Sequence, residues 1–126
     1  MNLIIGGAYQ GKLDWACDHY SLDRESIYTC QENTPEIDFS KTCINHLEEF
    51  ILACIRADVD PLEYLKAHWE DWRDSIFICM DLSCGVVPLG KELRLWRNAC
   101  GLVNQYLAKE ACSVTRIFCG LEQKLK

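Results

Sequence analysis

The sequence predicts an α/β fold, a parallel sheet flanked by helices, and two features carry the prediction. Short apolar runs alternate along the chain with segments of helical periodicity. One of those runs, Ile76-Phe77-Ile78-Cys79-Met80, is apolar at every position. A strand without polar alternation is covered on both faces, as strands of a parallel sheet are. Strands separated by helices imply crossover connections, which parallel pairs require.

The strands are expected at residues 3–5, 26–30, 75–80 and 114–119, each bounded by glycine, polar or charged residues. A helix is expected over 12–20. A second is expected over 40–56, where Cys43, Leu47, Phe50, Ile51 and Cys54 recur at helical spacing. Asp60-Pro61-Leu62-Glu63 has the form of a helix start. Asp60 suits the cap, Pro61 the first helical position, and Glu63 the reach back of a capping box. Trp69 and Trp72, with Glu70 and Asp71 between them, read as the core and solvated faces of that helix. A helix over 91–109 carries Leu93, Trp96, Cys100, Val103 and Leu107 on one face. Polar residues 31–38, with Pro35 among them, read as a loop.

A chain of 126 residues suits a single domain spanning 1–126. A domain of this size buries roughly two-thirds of its unfolded surface and needs no staples. The formal net charge of −6 argues against nucleic-acid binding, which draws on a basic surface to displace counterions. Nine cysteines occur without a C-x-x-C pair or zinc-finger spacing. Most sit in apolar stretches, Cys43, Cys54, Cys79 and Cys119 among them, where a reduced thiol acts as a small hydrophobe. That use fits a reducing compartment. The run Leu3-Ile4-Ile5 is too short for a secretory apolar region, and no stretch approaches the roughly 18 apolar residues of a membrane span. A cytoplasmic protein with no membrane partner is expected.

The sharpest motif is Gly6-Gly7-Ala8-Tyr9-Gln10-Gly11-Lys12, a G-x-x-x-x-G-K frame between a strand and a helical segment. That is the context of a phosphate-binding loop, or P-loop. Glycines let the backbone wrap so that amides converge on phosphate oxygens, and the following helix turns its positive end to the same anion. Lys12 would neutralise the terminal phosphates. The next residue is Leu13, where Ser or Thr normally ligates Mg²⁺. Nucleotide is expected at residues 6–13, as ATP or GTP, with Mg²⁺ held by another group. Asp81 is a candidate for it. This residue follows the apolar strand at the edge where parallel sheets place ligands, and it reads equally as a strand-end aspartate.

Further segments follow the same order along the chain. Asp81-Leu82-Ser83-Cys84-Gly85-Val86-Val87-Pro88 precedes Arg94-Leu95-Trp96-Arg97-Asn98-Ala99-Cys100-Gly101-Leu102-Val103-Asn104-Gln105-Tyr106-Leu107-Ala108. A tail from Val114 contains Phe118-Cys119-Gly120-Leu121 and ends Leu125-Lys126. With the glycine loop, these are similar to G-G-A-R-S-G-K-S, N-E-V-G-x-G-V-V-P, R-x-[FY]-R-D-x-x-G-x-x-N-Q-x-[LV]-A and V-x-G-[IL]-P…K. The chain thereby resembles the adenosylcobinamide kinase / adenosylcobinamide-phosphate guanylyltransferase family, over its first 30 residues and roughly its last 50.

The resemblance implies a P-loop α/β enzyme of cobalamin assembly. Such an enzyme phosphorylates adenosylcobinamide and attaches GMP through a histidine, and the family assembles as a homotrimer. It also implies that Arg94, Arg97 and Asn104 contact phosphate or a neighbouring subunit. The departures are specific. The family's H-x-x-x-R-P-x-x-W segment has no counterpart here, and a middle strand ending in an acidic residue is expected to be missing, giving a sheet reduced in strand number. The histidine nearest to that segment in chain order is His46, which reads otherwise as a polar-face residue of the helix over 40–56. His19 and His68 read as surface or helix-end residues. A catalytic protein and a non-catalytic nucleotide- or corrinoid-binding or regulatory subunit both remain open on these residues.

Overall fold

The computed structural model describes residues 1–82 and 90–126. The third motif segment from Ser83 to Pro88, Cys84 included, lies outside the described residues.

Among the described residues, six strands form one sheet in the order β2-β3-β4-β1-β5-β6. In chain order the elements are β1 (Asn2–Gly6), α1 (Lys12–Tyr20), β2 (Ile27–Thr29), β3 (Cys43–Asn45), α2 (Leu47–Arg56), α3 (Pro61–Ala67), α4 (Trp69–Trp72), β4 (Ile76–Met80), α5 (Lys91–Glu110), β5 (Ser113–Phe118) and β6 (Leu121–Lys124). All pairings are parallel except β5 with β6. The α/β expectation therefore holds, in a mostly parallel sheet flanked by helices.

Alternate side chains of the central strands feed two cores, as the two-residue period of a strand dictates. Leu3, Ile44, Phe77, Cys79 and Val114 pack with residues of α2, α3 and α5, including Phe50, Leu65, Val103 and Leu107. Ile4, Cys43, Ile76, Ile78 and Ile117 pack on the other face with Ala16 of α1, joined by Leu13 and Trp15. Trp72 is fully buried, and its indole N–H donates to the Leu65 carbonyl at 2.7 Å.

The expected helix over 40–56 is corrected by these coordinates. Residues 43–45 form β3, hydrogen-bonded between β2 and β4, and the helix begins only at Leu47. Cys43 and Leu47 stand four apart by coincidence of a strand with a helix, and a three-residue strand shows no period of its own. A third parallel strand thus stands between β2 and β4 where helix was expected. Its end carries Asn45 and His46 rather than an acid. Two smaller corrections follow. Leu93 is exposed rather than on the packed face of α5, and Cys119 sits exposed in the turn between β5 and β6 with φ of 52°. The segment opened by Asp60 divides into α3 and α4 at His68. Asp60 caps it as expected, accepting from the Leu62 amide at 3.0 Å.

Strand order also fixes where a ligand can sit. From β1 the chain passes through α1 to β2, at the far edge. It then returns through β3 and β4 and crosses over β1 through α5 to β5. This reversal puts α1 on one face and α5 on the other. The helices that follow β1 and β4 therefore lie on opposite faces, and the carboxyl ends of those adjacent strands mark the crevice where such sheets bind ligands.

Candidate functional site

The loop from Gly7 to Gly11 leaves β1 at that crevice. Gly6 is buried, and a Cβ there would stand 2.5 Å from the Ile117 carbonyl oxygen, so only glycine lets β1 end this close to β5. Gly11 caps α1 with φ of 87°, in the left-handed region that glycine adopts without strain. The consecutive backbone amides from Ala8 to Leu13 find no acceptor among the described residues. They run into the first turn of α1, whose N–H groups have no partner within the helix.

Lys12 bends back over the loop, and its Nζ donates to the Gly7 carbonyl at 2.6 Å. Burial pushes its pKa below the usual lysine value, while the Glu48 carboxylate pulls in the opposite direction. Leu13 packs against the core beneath α1 and offers no metal donor. Tyr9 is fully exposed at the loop's tip, with φ of 59°.

Asp81 follows β4 directly. Its amide donates to the Gly6 carbonyl at 2.8 Å, so the expected juxtaposition of this residue with the loop is present in the backbone. Asp81 and Leu82 line a cavity of about 340 Å³ against α5, with Arg97, Asn104 and Gln105 on its other wall. Asn104 Oδ1 is buried there without a hydrogen-bond partner among the described residues. Arg97 and Asn104 are thus brought together with Asp81, whereas Arg94 is exposed and does not line that cavity.

His46 is not on a helix face. It links β3 to α2 with φ of 55°, a left-handed conformation that costs a non-glycine residue energy. Its Nδ1 lies 2.9 Å from Glu48 Oε1. The Glu48 side chain is only 2% exposed against 53% for His46, and its second oxygen accepts from the Met80 amide at 3.3 Å. The Glu48 carbonyl accepts from the Trp96 indole at 2.7 Å, which ties α5 to the same turn. Glu48 escaped the sequence reading because a glutamate in an amphipathic helix is ordinarily solvated. The signal that points to it is the apolar pair Ile51 and Leu52, one turn further along the same side of α2. His19 is exposed and stacks on Trp15 at 4.5 Å. His68 stacks on Tyr64 at 4.3 Å, at the end of α3.

No group of three or more histidine, cysteine or acidic side chains is placed to hold a metal among the described residues. No helix among them is long and apolar enough to cross a membrane. No protein-family model and no curated protein sequence matches this chain.

Proposed function

We propose that this chain is a P-loop-type nucleotide-binding protein, related through its motifs to the adenosylcobinamide kinase / adenosylcobinamide-phosphate guanylyltransferase family. It takes ATP or GTP by the phosphates. The observation that carries this reading is the row of amides from Ala8 to Leu13 that find no acceptor among the described residues, set at the start of α1 beside Lys12. Converging amides, a helix dipole and a lysine together form an anion site.

Among the described residues, Mg²⁺ fits through Asp81. Leu13 supplies no hydroxyl, so the ion would draw on phosphate oxygens, water and the single carboxylate of Asp81. Mg²⁺ commonly accepts such a set, since it keeps much of its water. Adenosylcobinamide as the second substrate, a homotrimer and a cytoplasmic setting rest on the motif resemblance. The cavity between Asp81 and α5 gathers Arg97 and Asn104, two of the three residues that resemblance singles out, without Arg94.

Calorimetric titration with ATP and GTP, with and without Mg²⁺, tests the proposal. Saturable binding that strengthens with Mg²⁺ is expected. Absence of binding of either nucleotide under both conditions would sink it.

A further inference from the structure

The pair His46–Glu48 belongs to no part of the phosphate loop, yet it stands on the same edge of the sheet. β3, β4 and β1 are adjacent and parallel, so His46, Asp81 and Gly7 all follow strand carboxyl ends on one side. His46 is two inter-strand spacings from Gly6, about 10 Å. Glu48 spans the gap, with one oxygen on His46 and the other on the amide of Met80, whose register partner is Gly6.

Three features distinguish the pair from a structural contact. A nearly fully buried carboxylate is costly unless its oxygens are matched, and here one of the two is spent on a half-exposed imidazole. The imidazole is held in a strained left-handed backbone conformation, the kind that persists where surrounding structure enforces it. A carboxylate accepting from Nδ1–H fixes the tautomer that leaves Nε2 unprotonated.

We propose that His46 and Glu48 form a general-base dyad for phosphoryl transfer to a hydroxyl. The inference rests on the nucleotide reading of the loop. His46 Nε2 takes the proton of an alcohol or water whose oxygen bonds to the terminal phosphorus of the nucleoside triphosphate. The bond from that phosphorus to the bridging oxygen breaks, and the nucleoside diphosphate leaves with the electron pair. The proton then passes from His46 to solvent. Glu48 is the positioning residue that sets the imidazole's tautomer and stabilises the imidazolium once formed.

The test uses the full chain labelled with ¹⁵N-histidine. Two-bond correlation spectra of neutral His46 are expected to show protonated Nδ1 and bare Nε2. In Glu48→Gln, the Met80 amide retains the one remaining oxygen and the NH₂ group faces Nδ1, so the tautomer reverses. A wild-type spectrum with protonated Nε2, or a tautomer unmoved by Glu48→Gln, would overturn the dyad.

The second measurement is Mg²⁺-dependent hydrolysis of ATP and GTP, with water as the acceptor. His46→Asn is expected to lower kcat roughly 10²- to 10⁴-fold, the usual share of a general base, while calorimetric nucleotide affinity stays within about twofold. Nucleotide binding without turnover in the wild type, an unchanged kcat in His46→Asn, or an acid-labile covalent phosphohistidine each contradicts the base role. If the wild type binds no nucleotide, the reading of the loop fails first and takes the dyad's substrate with it. If it binds nucleotide and only the kcat result fails, the dyad alone is wrong.

Discussion

The Gln10 side-chain oxygen accepts a hydrogen bond from the Cys119 amide at 2.6 Å, while its backbone carbonyl accepts from Gly120 at 2.9 Å. One residue of the turn between β1 and α1 is thereby clamped twice to the turn between β5 and β6. The family loop resembled here has serine at this place, so the longer side chain is a feature of this chain. Gln10→Ala is expected to lower stability by about 1 kcal/mol, one hydrogen bond's net worth, and to weaken nucleotide binding severalfold. Urea denaturation and calorimetry measure the two effects.

The two glycines that open the loop should respond very differently to alanine. At Gly6 the new Cβ meets the Ile117 carbonyl at 2.5 Å, whereas at Gly7 the nearest atom is 3.8 Å away on the Gln10 side chain. Overpacking of the first kind costs about 1–3 kcal/mol. Gly6→Ala should lose that much in denaturant unfolding, and Gly7→Ala should stay within about 0.5 kcal/mol of the parent, as substitutions without such a clash do.

Lys12→Met separates binding from folding. Burial already disfavours the Lys12 charge, so its removal should leave stability close to the parent's. A hydrogen bond to a charged group is worth about 1.5–3 kcal/mol, which corresponds to roughly a 10- to 150-fold loss of affinity for nucleoside triphosphate. Thermal unfolding and calorimetry on one preparation give both values.

Buried thiols set the alkaline limit of stability. Burial pushes the Cys43 and Cys54 thiols from about 9 up to about 12. Their folded-state values lie above the unfolded ones, so the stability they contribute is fully present below pH 9 and is lost as pH rises toward 12. Unfolding free energy followed by denaturant titration should stay level with respect to these thiols up to about pH 9 and then fall. Cys43→Ala and Cys54→Ala should each flatten that decline. A decline unchanged in both variants would contradict the assignment.

The sequence disclosed the central sheet well and its margins poorly. Residues 76–80 announce a strand because five apolar residues in succession need cover on both faces. The helix over 12–20 and the long α5 stand out through their flanks and period. β3 does not, since three residues carry no periodicity and Cys43 falls into step with the helix that follows. β6 escaped because all four of its residues are exposed, leaving no burial pattern to read.

The site divides in the same way. The turn from β1 into α1 was legible because its residues are contiguous, and Gly6 and Gly11 each answer a local backbone demand. The meeting of Asp81 with Arg97 and Asn104 was not legible, because it depends on how α5 packs on the sheet. Glu48 was marked in the sequence only by its apolar neighbours. Its burial is a tertiary fact, made by Met80 on one side and Trp96 on the other.

Amide hydrogen exchange of the full chain, with and without saturating GTP or ATP and Mg²⁺, tests the central claim most directly. The account predicts slowed exchange concentrated at the amides from Ala8 to Leu13, with the turn at Cys119–Gly120 following through its bonds to Gln10. Exchange at residues 8–13 unchanged by either nucleotide would contradict it.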